Sequence, residues 1–267
     1  MIRDIDETKA PLLDHLIELR KRLLYCIYAM VITGGVCFYF ADHILAFLVA
    51  PLKSGYGAAG GKLVYSKLYE AFFVQVKIAV FGGFFVSFPI IANQLWAFIA
   101  PGLYAKEKKA LLPFLLATPV LFLMGASLAY YGVMPAAFHF FLKFQGQLGG
   151  VQLEALPGVD AYLSLVMQFI LAFGISFLLP VLVMLLNRAG ILSRAQLVAA
   201  RRYVIVGAAI VAAAITPPDA LSMIMLAIPL VLLYEFTLIA IWFTDRRKAA
   251  EAAAEASAET AVVKAAE

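Results

Sequence analysis

Two carboxylates stand where positive charge is densest. Glu18 lies beside Arg20, Lys21 and Arg22, and Glu107 lies among Lys106, Lys108 and Lys109. A cationic ligand approaching either cluster is repelled unless specific carboxylates are presented to it. A guanidinium suits them: it offers paired, charge-assisted N–H donors, each bond worth about 1.5–3 kcal/mol. Two such acids can tell a pair of arginines from general positive charge. A plainer chemistry fits the same residues. Glu18 and Arg22 are one helical turn apart and can simply pair, for a few tenths of a kcal/mol. Glu107 can favour the start of a following helix through its dipole. Both readings stand at this point.

Other chemistries find no support in the residue pattern. His15, His43 and His139 fall in different segments without metal-ligand spacing. No phosphate-binding loop motif occurs, so ATP hydrolysis is not expected. The chain therefore reads as a non-enzyme with no cofactor and no metal.

The elements that must position Glu18 and Glu107 are membrane helices. Apolar residues make up 64% of the chain, charged ones 14%, and mean hydropathy is +0.93. A soluble core has no use for so much apolar surface. The isoelectric point near 9.0 does not point to nucleic acid. The basic residues sit in short clusters between apolar runs, as topology signals do. Leu12, Leu16, Leu19 and Leu23 draw one stripe down an amphipathic helix that leads into the first apolar run. Cys26 and Cys37 both lie in that run, about 16 Å apart along a helix, too far to pair with each other.

Six spans are expected, over residues 23–41, 71–97, 110–133, 161–186, 203–215 and 220–243. The first is read as a retained span, because no cleavage site follows it in the usual way. Residues 44–50 are too short to cross and read as an interfacial helix before Pro51 and a Gly-rich loop. Lys77 is expected to snorkel to the near surface. Pro101-Gly102 marks a turn after the second span. Pro135 and His139 mark a helix leaving the membrane after the third. The last two spans are expected to be short: 203–215 by length, and 220–243 if Glu235 lies at the boundary. Short spans would thin the bilayer locally. The fold class is all-α, with 1–245 as one six-helix membrane domain. The Ala/Glu-rich tail, 246–267, is left open between a dangling helix and disorder.

An even number of spans places both termini on one side. That side carries sixteen lysines and arginines, against four in the opposite loops. The termini are therefore expected in the cytoplasm. A secondary transporter of a small solute is an alternative for six spans. Such proteins usually carry polar groups near the midplane and repeated halves; the deep positions here are nearly all apolar.

Four motifs in order resemble the TatC family: His15-Leu-Ile-Glu-Leu-Arg-Lys-Arg22, the Phe98 to Glu107 loop with Pro101-Gly-Leu-Tyr104, Phe173-Gly-Ile-Ser-Phe177 with Pro180, and Ile215-Thr-Pro-Pro-Asp219. The resemblance covers residues 10 to 245. It implies a multi-pass receptor in the bacterial cytoplasmic membrane, within the twin-arginine translocase. Such a receptor binds twin-arginine signal peptides of folded cargo. It assembles with the single-span subunits TatA and TatB into an oligomeric complex in the lipid bilayer, and transport is driven by the proton-motive force. By position, Glu18 and Glu107 match the family's signal-binding acids, Arg20 a neighbouring basic residue and Phe98 an adjacent aromatic. Pro51 matches a sensitive proline and Asp219 the acid of the outer turn. Many relatives carry Glu or Gln where this chain has Leu178, so a polar contact at that site is not expected. Gln168 is about 15 Å away along a helix and a poor substitute. Glu235 remains as the deep carboxylate candidate, or else as an interfacial acid.

Overall fold

The computed structural model describes residues 5–56, 61–103, 112–148, 151–153, 156–188, 190–216 and 220–266. They form two compact units, Met1–Ser176 and Phe177–Glu267.

In the first unit, α1 spans Ile5–Tyr39, α2 Ala41–Tyr56 and α3 Glu70–Leu103. α4 covers Leu112–Leu128, α5 Met134–Leu142 and α6 Val159–Ser176. Among the described residues the paired departures from helix are a three-residue ribbon, Gly146–Leu148 against Val151–Leu153, and a single bridge between Val64 and Gly158. The class is all-α, as composition and apolar runs led us to expect.

α1 lies antiparallel along α3, the most extensive packing in the unit. Glycine makes it close. A Cβ on Gly83 would stand 2.7 Å from the Gly34 Cα and 2.8 Å from its nitrogen, so backbone meets backbone. The Thr33 hydroxyl donates to the Gly83 carbonyl across the pair at 2.9 Å. Lipid supplies no hydrophobic drive for helix association, so close small-residue contact and interhelical hydrogen bonds hold such a pair.

Behind α3, Phe122 of α4 is fully buried. It stacks on Phe88 with ring centroids 3.7 Å apart and meets Phe85 at 4.9 Å. Phe169 and Phe173 of α6 are fully buried too. Trp96 donates to the Thr118 hydroxyl at 2.7 Å, tying α3 to α4.

The third helical run does not leave the helix at 133. A π-helical turn, Ala129–Val133, joins α4 to α5, and the apolar stretch runs Leu115–Leu142. Pro135 cannot donate an amide proton, and the wider turn takes up the register with Met134 N–H on the Ala129 carbonyl. Likewise α3 continues through Pro101 to Leu103.

Lys77 does not reach outward alone. Its ammonium pairs with Asp160 and donates to Ser164 Oγ at 3.1 Å, linking α3 to α6. Beside it, buried Glu70 accepts backbone N–H bonds from Ser66, Lys67 and Asp160 at 2.7, 3.1 and 3.1 Å.

In the second unit, α7 spans Leu179–Arg188, α8 Arg194–Ala199, α9 Arg201–Ile215 and α10 Ala220–Ala266. Gly190, at φ +74°, turns the chain after α7. Ser193 and Gln196 form a capping box for α8. Val183, Leu197, Tyr234, Leu238 and Ile241 make the core.

α9 is short, at 15 residues or about 22 Å. The expectation of a short sixth helix is corrected. α10 is 47 residues long, and its apolar segment runs Met223–Arg246. Glu235 falls within that segment and pairs at 2.7 Å with Arg201, the first residue of α9. The Ala-rich tail then prolongs the helix, alanine being the strongest helix former.

Among the described residues, five segments are long and apolar enough to cross a membrane: His15–Tyr39, Glu70–Phe98, Leu115–Leu142, Val159–Arg188 and Met223–Arg246. The fourth is interrupted at Phe177–Leu178, just ahead of Pro180.

Candidate receptor surface on the first and third helices

The α1–α3 pair carries the residues that chemistry singled out. Glu18 Oε1 accepts from Arg22 Nε at 2.9 Å and from Nη2 at 2.5 Å. Arg22 Nη1 donates to Gln94 Oε1 of α3 at 3.3 Å. One turn earlier, the His15 ring stacks on Phe98, centroids 4.3 Å apart and planes 17° from parallel. Glu18 and Phe98 are half-buried, whereas Arg20 is exposed. The structure thus brings Glu18, Arg22, Gln94, His15 and Phe98 to one end of the helix pair. The local pairing of Glu18 with Arg22 is realised, with a second helix holding the arginine. Glu107, four residues past the end of α3, lies outside the described residues. So does Asp219.

Gln94 was not marked by sequence reasoning. A glutamine two residues before a tryptophan in an apolar helix carries no motif; only the antiparallel register puts it opposite Arg22.

Pro51 is buried within α2, and its role is legible in hydrogen bonds. Proline has no N–H, so the Phe47 carbonyl one turn back loses its helical donor. The Tyr130 hydroxyl supplies the bond instead, at 2.6 Å, and its ring stacks on Phe47 at 4.4 Å. Tyr162 donates to the next carbonyl, Leu48, at 2.8 Å. Pro51 therefore opens α2 to the π-helical turn, and the Tyr162 bond to Leu48 ties the same stretch to α6. Tyr130→Phe should cost about 1–3 kcal/mol through the unpaired carbonyl. In a Pro51→Ala background, where an amide returns, the same change should cost less. Thermal unfolding of the four variants in detergent checks this.

Glu235 is held by Arg201, and its neighbour Tyr234 donates to the Leu197 carbonyl at 2.7 Å. Leu178 sits half-buried in the turn between α6 and α7, and Gln168 is exposed. Cys26 and Cys37 are both free thiols. Among the described residues, no group of three or more His, Cys, Asp or Glu is arranged to hold a metal.

The chain is similar to known proteins over most of its length. A family model described as Sec-independent protein translocase protein (TatC) matches residues 14–229. The TatC protein of Magnetococcus marinus is 48% identical over 249 residues, covering 93% of this chain and 90% of that relative. That of Escherichia coli K12 is 40% identical over 229 residues, covering 86% and 87%. Two crystal structures of a protein described as the twin arginine translocase receptor TatC share the fold. One has a TM-score of 0.72 at 40% identity, covering 84% of this chain and 96% of the other. The second, in DDM, has a TM-score of 0.75 at 39% identity, covering 85% and 98%. With its long apolar helices and bacterial relatives, this is a multi-pass protein of the bacterial inner membrane. Matched from the Glu18 segment through the turn after α9 and into α10, the chain belongs to the TatC family of Sec-independent protein translocase proteins.

Proposed function

We propose that this chain is the receptor for twin-arginine signal peptides, binding the arginine pair through Glu18 and Glu107 on the cytoplasmic face. The observation that carries this reading is Glu18 itself. It is already seated on a guanidinium, that of Arg22, at the end of the α1–α3 pair, and Glu107 follows the last residue of α3 by four positions in sequence. The carboxylate thus has the environment an arginine ligand needs. Phe98, stacked on His15, lies beside it, and Arg20 is exposed on the same turn of α1.

The chain has six spans in this reading, α9 being a short fifth, with both termini in the cytoplasm and residues 1–245 forming one membrane domain. The charge distribution supports the orientation, and the family match runs through both units. Folded cargo crosses with the help of the single-span subunits TatA and TatB, driven by the proton-motive force; membership of the family supports these steps. Local membrane thinning now rests on α9 alone, since the α10 apolar segment is of full length. Pro51 acts through the shape of α2, and Asp219 in the outer turn. Glu235 is an ion-paired acid whose job is to hold α9 to α10. The solute-transporter alternative gains nothing. A cavity of about 330 Å³ in the first unit is lined mainly by apolar side chains, Cys37, Phe47, Phe81 and Phe85 among them, and in a second, of about 370 Å³, the charged Glu70, Lys77 and Asp160 are already bonded within the protein.

The test is binding of an Arg-Arg signal peptide and its Lys-Lys twin to the purified protein and to Glu18→Ala and Glu107→Ala. The wild type should prefer Arg-Arg by about tenfold or more, and each substitution should remove most of that preference. Equal binding in all combinations would make both acids structural.

A further inference from the structure

We infer that Arg22 is an internal occupant of the Glu18 site: a guanidinium of the chain's own that a ligand arginine must displace. It thereby sets the affinity threshold for the peptide. This rests on the reading of Glu18 as an arginine-binding acid.

The geometry favours a competitor over a chance surface pair. Arg22 reaches Glu18 Oε1 with two nitrogens and Gln94 with the third. Its side chain is the more buried of the two, 23% exposed against 37% for Glu18. Gln94 belongs to another helix, so the arginine is steadied from outside its own turn. The exposed Arg20 and Lys21 add positive charge around the pair. A second cation therefore gains less from Glu18 while Arg22 holds Oε1.

Competition of this kind has a definite signature. Apparent affinity falls by the fraction of Glu18 left open, and by the same factor for every ligand that needs it. Arg22 would not alter the ratio of Arg-Arg to Lys-Lys binding. It would push both downward, so that the weaker lysine ligand drops out of the useful concentration range. Selection would then come from a threshold set within the receptor and added to the preference of the carboxylate.

The test is peptide titration against Arg22→Gln, Arg22→Lys, Lys21→Gln and Glu18→Ala/Arg22→Gln, beside wild type and Glu18→Ala. Arg22→Gln should tighten Arg-Arg and Lys-Lys binding by one common factor, about tenfold. Arg22→Lys, which keeps the charge but loses the planar fork, should give a smaller gain of about threefold. It also carries the test if Arg22→Gln does not fold. Lys21→Gln removes the same charge from the next residue and should change binding less than about twofold. In the Glu18→Ala background the gain should vanish. Weaker or unchanged binding in the Arg22 variants overturns the inference, as does an equal gain from Lys21→Gln or a gain that survives without Glu18. If Glu18→Ala alone changes nothing, the receptor reading of Glu18 fails first. If Glu18→Ala abolishes the arginine preference while the Arg22 variants gain nothing, only the internal occupant is wrong.

Discussion

Gly83→Ala should destabilise the protein by more than about 3 kcal/mol, or stop it folding, although it adds a single methyl group. The new Cβ would meet the Gly34 backbone at 2.7 and 2.8 Å and the Met30 carbonyl at 3.2 Å. None of these atoms is the movable end of a side chain. The helices must separate, and separation lengthens the Thr33 to Gly83 hydrogen bond as well. The reciprocal change is the control. A Cβ on Gly34 would meet only the Ala79 carbonyl, at an ordinary 3.7 Å, and one on Gly35 nothing within 4 Å. Gly34→Ala and Gly35→Ala should therefore stay within about 0.5 kcal/mol of wild type or gain slightly, since alanine favours the helix. Thermal unfolding in detergent orders the three. Similar losses in all of them would mean that the close crossing is not where the structure puts it. The effect should reach the receptor surface. Glu18 and Arg22 stand on one helix of this pair, Gln94 and Phe98 on the other. A Gly83→Ala protein that still folds should bind the Arg-Arg peptide more weakly, whereas Gly34→Ala should bind as wild type.

How far such a site could be read without coordinates depends on how local its causes are. The helices were legible because apolar runs and their polar ends are properties of neighbouring residues. Glu18 and Arg22 were legible together because one helical turn separates them. The features that escaped depend on distant partners. Glu235 has its partner in Arg201, 34 residues earlier in the chain, and nothing beside it in sequence announces that pair. Pro51 reads as a helix stop until Tyr130, 83 positions from the Phe47 carbonyl it reaches, takes over the lost donor's work. The π-helical turn ahead of Pro135 is silent too, because nothing in its neighbours announces it. Gly34 and Gly83 are silent individually: a glycine in an apolar run does not say what approaches it. Gln94 falls in the same class.

The second large effect is expected where the Phe173-Gly-Ile-Ser-Phe177 motif meets the core. Phe173 is fully buried, and Gly174 leaves room for the ring of Phe122. A Cβ at 174 would stand 2.6 Å from Phe122 Cε2 and 2.9 Å from Cδ2. Phe122 cannot easily swing aside, since Phe88 stacks on it at 3.7 Å and Phe85 lies at 4.9 Å. Gly174→Leu should therefore cost more than about 3 kcal/mol. Phe122→Ala should cost about 3–5 kcal/mol by opening a cavity in the same place. The two errors are complementary, because a leucine at 174 points into the space the ring has left. The double variant should then be more stable than the sum of the single losses by about 1–3 kcal/mol. Unfolding midpoints of the four proteins in one detergent measure that coupling, and strict additivity would mean that the residues do not share the space. A positive result would give the motif's glycine a purely steric reason. It would also separate that reason from any polar contact four residues later, where this chain has the apolar Leu178. In this protein α6 would be held to α4 by shape, with no carboxylate at position 178 to satisfy.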